Sequence, residues 1–421
     1  MKILVVLPRI PVPVRDGGSR VMMSTLRQLG DMGHEVHVVA LNTSRHPSNP
    51  ELLQPYVTSA VAVPIDTMVR PLAALRAALR PRLPQKFSHN GTVPYWVTRF
   101  ASAQALDSVL AVAGAGDVGV VLVESLFCAP YAEAVKHLLA SNAPPIVLHA
   151  HNVEHHIQEL LASDQLRSFP QRVYRRMLAR QTRDYEQHVA SIMDAVITLT
   201  DEDKQWFLAH SSNEQRIVHI QPGIEVPNLP VVQIPANLSL GFLGALDWEP
   251  NVDAVQWFAY NVLPRIWEQL PGVAFHVAGR GRSAAIEALH DGQKIVVHGE
   301  VENPAITMQQ WSVVVAPIRS GSGVRIKILE AMAAGCAVVT TTLGCQGIDV
   351  VDGRHLRMAD TAEAFAQACC SLLQNSAAAR QMGQNARSVV QNTYSTEQSS
   401  IRLAELLQQV MSAKRQAPEV G

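Results

Sequence analysis

The sequence predicts an α/β protein of two doubly wound, Rossmann-like domains facing one another across a cleft. Three observations carry this. Short Val/Ile/Leu runs alternate with helical stretches, the pattern stops at a proline-rich segment and restarts, and 421 residues exceed one compact core. Strands covered on both faces read as continuous apolar runs, whereas a one-sided sheet would alternate.

The first run, "KILVVLP" (2–8), leads through Gly17–Gly18 into "SRVMMSTLRQLGDMG" (19–33), where Val21, Leu26 and Leu29 keep helical spacing. "HEVHVVAL" (34–41), "VGVVLVES" (118–125), "PIVLHAH" (145–151) and "DAVITLT" (194–200) are the next strand candidates. Between Pro222 and Pro235 four prolines fall in fourteen residues, which predicts a semi-rigid linker. The pattern then restarts with "LSLGFLG" (238–244), "VAFHVAG" (273–279), "KIVVHG" (294–299), "WSVVVAP" (311–317) and "CAVVTT" (336–341). "TEQSSIRLAELLQQVMSAKRQ" (396–416) is an amphipathic helix with Ile401, Leu403, Leu406, Leu407 and Val410 as its apolar side. The expected layout is a first domain at 1–222, a linker at 223–236 and a second domain at 237–395. A C-terminal helix and tail follow at 396–421, with a return of the helix to the first domain among its expected courses.

Hydrophobic residues make up 48% and charged residues 17%, a globular balance, and a net charge of −1 gives no global attraction to nucleic acid. The five cysteines form no CxxC pattern and suit a reducing compartment. The apolar start is shorter than a signal peptide, and no run reaches the roughly 18 apolar residues of a membrane span. A cytoplasmic protein is the expectation.

The densest chemistry lies in "PIRSGSGVRIKILEAMAAGCAVVTT" (317–341). Glycine lets backbone amides approach an anion closely, and a helix starting near Val324 adds its positive end. Arg325 and Lys327 in a first helical turn oppose the helix dipole, which makes sense if an anion binds in front of them. Glu330 is placed to accept hydrogen bonds from vicinal hydroxyls. A solvated Lys327–Glu330 pair beside an ordinary turn is the bland alternative.

This stretch resembles the donor-binding segment of the retaining family 4 (group 1) glycosyltransferases, which have the GT-B architecture. The pattern G-S-G-x-R-x-K-x-x-E-A-x-A-x-G is matched by Gly321, Ser322, Gly323, Arg325, Lys327, Glu330, Ala331, Ala333 and Gly335. The likeness extends to "GFLGALDWEPNVDAV" (241–255), "HVAGRG" (276–281), "HGEVENPAITMQQWSVVVAP" (298–317), "HAHNVEHH" (149–156) and "DGGSR" (16–20). It implies a nucleoside-diphosphate sugar of UDP or GDP type as donor substrate, no cofactor and no metal. Glu330 would hold the ribose, and the amides around Gly323 and Val324 the diphosphate, with Gly321, Ser322, Gly279 and Arg280 also at the donor. Two departures stand out. Ser322 replaces the first glutamate of the family's commoner E-x7-E pair, and Ala245–Asn251 replaces its usual arginine and lysine. Arg325 and Lys327 are therefore the expected diphosphate cations.

On the first domain, Gly17 and Gly18 suit either a ligand-covering loop or an ordinary turn. Four histidines in "HAHNVEHH" invite a metal, yet His149 and His151 alternate to one side while Glu154 and the later histidines would have to fold back. No metal is expected there. The resemblance puts His151 near the reacting sugar. Asn152 and Glu154 either bind acceptor hydroxyls or serve the core, and Glu124 is either a base for the acceptor or a satisfied polar residue. The resemblance implies front-face attack assisted by the departing phosphate, without a protein nucleophile.

Residues 67–106 hold six bases (Arg70, Arg76, Arg80, Arg82, Lys86, Arg99) and no acid, with Leu72, Leu75 and Leu79 as an apolar side. Arg167, Arg172, Arg175, Arg176, Arg180 and Arg183 form a second group. Such segments either lie on an anionic membrane, as a peripheral protein's would, or are solvated helices. Gly279–Gly281–Ala284 imitates a dinucleotide fingerprint, but sits outside the first βα turn and lacks hydride-transfer residues. The expected function is hexosyl transfer, independent of metal, to a glycan, lipid-linked or small-molecule acceptor in cell-surface polysaccharide or glycolipid assembly. A nucleotide-sugar epimerase and a non-catalytic nucleotide-sugar-binding relative are the alternatives.

Overall fold

The computed structural model describes residues 1–14, 16–44, 46–68, 83–87, 92–163, 169–211, 216–228, 238–281, 283–320 and 323–416. The chain forms two compact units: Met1–Val14, Gly18–Gln221 and Ser400–Gly421 in the first, Arg15–Gly17 and Pro222–Ser399 in the second. Of the proline-rich segment, residues 229–237 lie outside the described residues, as does the basic stretch 69–82 with Arg70, Arg76, Arg80 and Arg82.

The first unit is a seven-stranded sheet of β1 (Lys2–Leu7), β2 (Glu35–Thr43), β3 (Ser59–Ile65), β4 (Val118–Glu124), β5 (Ile146–Ala150), β6 (Ala195–Thr198) and β7 (Ile217–His219). Their order is β3-β2-β1-β4-β5-β6-β7, every pairing parallel. The apolar runs are continuous because both faces are buried. Ile3, Val5, Leu7, Val120 and Leu122 point to one side, against Met22, Met23, Leu26 and Leu29 of the helix Gly17–Asp31. Leu4, Val6, Val121 and Val123 point to the other, against the helices Ala103–Ala113 and Ala129–Leu139. Leu403, Leu406, Leu407 and Val410 of the helix Thr396–Gln416 join the first of these faces. Ile401, expected on that apolar side, is instead 49% exposed.

The second unit has six parallel strands: β8 (Ser239–Leu243), β9 (Ala274–Ala278), β10 (Ile295–Gly299), β11 (Val313–Ala316), β12 (Val338–Thr340) and β13 (Arg357–Met358). Their order, β10-β9-β8-β11-β12-β13, repeats the doubly wound order of the first. Phe258 packs on Phe275 with ring centroids 4.7 Å apart, and Leu240, Phe242, Val313 and Val338 fill the sheet's core. In each sheet the direction of strand addition reverses once, between β1 and β4 and between β8 and β11. Crevices for ligands open beyond the carboxyl ends of strands at such switch points.

Gly17 and Gly18 were expected to form a bend; they are instead the first two residues of the helix Gly17–Asp31. Asp16, directly before it, is a residue type favoured at helix N-caps.

Gly241 in β8 has no room for a side chain: an added Cβ would lie 1.8 Å from Cδ2 of Trp311. Overpacking of this kind costs about 1–3 kcal/mol, so Gly241→Ala should lower the midpoint of urea unfolding with an unchanged slope.

Candidate functional site

At the second switch point, β8 ends at Leu243, directly before Gly244, and the helix Ile326–Ala333 follows β11 in the chain. Gly321 and Ser322 lie outside the described residues; Gly323 has φ +78°, a left-handed backbone that favours glycine. The helix begins two residues later than the spacing suggested. Arg325 is its N-cap, with φ −85° and ψ 83°, and its guanidinium donates to the carbonyl of Gly323.

Lys327, the second helical residue, is half-buried and points back to the end of β8. Its ammonium donates to Oδ1 of Asn251 at 2.5 Å and lies 4.5 Å from the centre of the Phe242 ring. Asn251 is held by its own amide, which donates to the carbonyl of Ala245 at 2.8 Å. Gly244 is what lets the lysine in: a Cβ there would stand 2.7 Å from the Lys327 nitrogen. Among the described residues no carboxylate forms an ion pair with Lys327. Burial, then the neighbouring Arg325, pull its ammonium down to about 7, against the charge of Glu330 one turn further along. Burial likewise lowers Arg325 to about 10. Both cations are thus desolvated, and an anion beside them would favour the charged form of Lys327.

The loop after β9 closes the same end of the sheet. Gly279 has φ +144° and Gly281 φ +71°, and the carbonyl of Arg280 accepts from the Leu246 amide at 2.7 Å. The Arg280 guanidinium reaches Asp247 at 3.2 Å and, within the same unit, Asp16 at 3.5 Å. Arg280 is therefore tied into this loop, and Gly279 makes a turn rather than opening a long helix, since Ala284–Glu287 is a single turn.

In the first unit, β4 ends at Glu124 and β5 delivers His149 and His151. His149 Nδ1 lies 3.1 Å from one oxygen of Glu124, and His151 Nε2 lies 2.5 Å from the other. Glu124 is 0% exposed, so it does not touch an acceptor. Of its two expected readings, a base for the acceptor or a satisfied polar residue, this burial and pairing fit the second: it stands behind His151. Burial would raise its carboxyl, but the charge and hydrogen bond of His149, then those of His151, outweigh this and hold it well below the ordinary carboxylate range. His151 is half-buried, and burial lowers its ring against the pull of Glu124. The ligand-type atoms of Glu124, His149 and His151 lie within 4.8 Å of one another, with both carboxylate oxygens already engaged. The residue after Glu124 is strained: Ser125 has φ 71° and ψ 163°, a region held almost only by glycine. Nothing in "VLVES" announces it.

Of the two expected readings of Glu154, an acceptor contact or a core residue, its burial fits the second. It is buried as the first residue of the helix Glu154–Ser163, and burial followed by the charge of Glu186 raises its carboxyl to about 8. Asn152, half-buried, donates to it at 3.3 Å.

These two sites sit in domains with known kin. Residues 15–226, half of the chain, match the family "Glycosyltransferase Family 4", and residues 237–375 match "Glycosyl transferases group 1". The chain belongs to this glycosyltransferase family. Its fold is GT-B, shared with sucrose-phosphate synthase from Thermosynechococcus elongatus (16% identity, 98% of this chain and 100% of that one, TM-score 0.68). Anabaena HepE in complex with UDP and glucose is similar over 96% of this chain and 99% of that one, at 13% identity and TM-score 0.64. A mutant TarM of S. aureus with Fondaparinux, alpha-GlcNAc-glycerol and UDP matches 97% of this chain and 100% of that one, at 11% identity and TM-score 0.68. By sequence the chain is 24% identical over 169 residues to "Uncharacterized 44.6 kDa protein in cps region" of Klebsiella pneumoniae, a match spanning 38% of this chain and 44% of that protein.

Lys327 has a stability cost that can be measured. Its folded value of about 7 lies below the ordinary 10.5, so the unfolded chain binds the extra proton between these limits. The cost that Lys327 adds is therefore absent above pH 10.5 and grows as pH drops toward 7. Lys327→Met should be more stable than the parent at pH 7, on the order of 2 kcal/mol, with the gap closing at alkaline pH in chemical denaturation.

Proposed function

We propose that the protein is a retaining hexosyltransferase that takes its sugar from a nucleoside-diphosphate sugar and passes it to a hydroxyl of a glycan, lipid-linked or small-molecule acceptor. The observation that carries this reading is Lys327, a desolvated ammonium beside a positive-φ glycine turn at a switch point. A diphosphate supplies the negative charge that Lys327 and Arg325 need, and the amides at Gly323 and Val324 add neutral donors. Glu330, on the same helix, accepts from the ribose hydroxyls. Family membership, and the UDP that accompanies HepE and TarM, support a nucleotide donor.

In the reaction the bond between the anomeric carbon and the diphosphate oxygen breaks, and the acceptor oxygen bonds to that carbon from the same face. The acceptor proton passes to the departing phosphate oxygen. Lys327 and Arg325 stabilise the charge that develops on the diphosphate, so transfer needs no metal. His151, its Nε2 held by Glu124, presents its other ring nitrogen to a sugar hydroxyl. Glu124 is thus a positioning residue. Cell-surface polysaccharide or glycolipid assembly suits the "cps region" of the Klebsiella relative. Peripheral contact with an anionic membrane is supported by Phe169, 73% exposed, and Val173 on a helix that also carries Arg172, Arg176 and Arg180. Among the described residues no helix is long and apolar enough to cross a membrane.

A thermal-shift panel of UDP, GDP, ADP and dTDP should single out one base, with about 2.7 kcal/mol of stabilisation at a hundredfold excess over Kd. Arg325→Ala and Lys327→Met should each weaken the intact donor at least tenfold in calorimetry. Parent-like affinity in both variants rejects the phosphate site. Glu124→Gln should lower kcat with little change in donor Kd and move the acid limb of the pH profile. A loss confined to donor binding would remove its positioning role.

A further inference from the structure

Beyond His151 the chain enters the helix Glu154–Ser163 and builds a second histidine cluster, separate from the transfer chemistry. His155, His156 and Glu159 each bring a ligand-type atom, all within 4.8 Å of one another. His155 is 1% exposed, while His156 and Glu159 are open to solvent.

The protein has already oriented His155 as it would orient a ligand. Its Nδ1 lies 2.7 Å from Oε2 of Glu186 on the helix Phe169–Ile192. Glu186 is itself fixed, accepting from the backbone amides of Glu154 at 2.5 Å and His155 at 3.3 Å. Trp206 covers the imidazole with ring centroids 4.8 Å apart. Nε2 of His155 is buried and has no hydrogen-bond partner among the described residues. With the proton of the ring held on Nδ1 by a carboxylate, Nε2 keeps a lone pair and no donor, an arrangement that costs free energy unless something accepts that pair. A carboxylate fixing one nitrogen while the other stays open is the usual setting of a metal-binding histidine.

We propose that His155, His156 and Glu159 bind a divalent transition-metal ion of the zinc type at the surface of the first unit, with Glu186 orienting His155. Two imidazoles and one carboxylate suit zinc, whereas magnesium and calcium prefer oxygen ligands throughout. Three protein ligands leave a fourth position for water. Arg183, which forms an ion pair with Glu159, is the competitor: its guanidinium shares that carboxylate and repels a second cation.

The test is titration of chelator-stripped full-length protein with Zn2+ by calorimetry, and with Co2+ by visible absorption. A single saturable site is expected, with no Mg2+ binding. His156→Ala and Glu159→Gln, both at exposed positions, should each weaken Zn2+ at least tenfold, Arg183→Met should strengthen it, and Glu124→Gln should leave it unchanged. Absence of a saturable site, equal affinity in His156→Ala and Glu159→Gln, or loss only in Glu124→Gln would each overturn the assignment.

Discussion

A lysine held near neutrality at the carboxyl end of a parallel sheet is the constraint around which the second unit is arranged. Lys327 lies beside Gly244, which leaves it room, donates to an Asn251 turned by the Ala245 carbonyl, and rests over the Phe242 ring face. Each of these residues lies at or just after β8, whereas the lysine comes from the helix after β11. The site is thus assembled across the switch point and depends on the register between those two strands. Among the described residues the surrounding protein gives Lys327 no carboxylate to pair with, and a fold pays stability for such a cation unless a ligand uses it.

The first unit solves a related problem with the opposite sign. Glu124 is a buried anion, and its cost is offset by two imidazoles that take one oxygen each. The strained backbone at Ser125 lies directly beyond it, where the chain must turn from the end of β4 into the short helical turn Leu126–Cys128. Strain and a buried charge side by side at a switch point are typical of a site shaped for chemistry rather than for stability. The same logic separates His151 from its neighbours in sequence. It is half-buried, while Glu154 and His155, three and four residues on, are buried, and the His155 ring is turned to Glu186.

Much of the fold was legible because its strands are apolar on both faces, so "KILVVL" and "WSVVVA" carry their own assignment. The strands that went unread lie at sheet edges: β3 contains Pro64, β7 has three residues and β13 two. The stretch with Gly323, Arg325 and Lys327 drew notice because a phosphate site needs glycine and cations close together in the chain. What could not be read were relations between distant residues. Glu124 becomes a brace for His151 only after β4 and β5 pair, and the backbone amide of Glu154 finds its acceptor in Glu186, thirty-two positions away. Gly17–Gly18 looked like a bend because glycine is a poor helix former, yet here it opens one.

The central claim is that diphosphate docks on the Gly323 turn and Lys327, and a crystal structure with an intact, slowly transferred donor tests it most directly. The account requires phosphate oxygens within hydrogen-bonding distance of the Lys327 ammonium and the Gly323–Val324 amides, with Asn251 released from the lysine or shared by it. A donor whose phosphates lie elsewhere, with the Lys327–Asn251 contact intact and the turn filled by side chains, would contradict it.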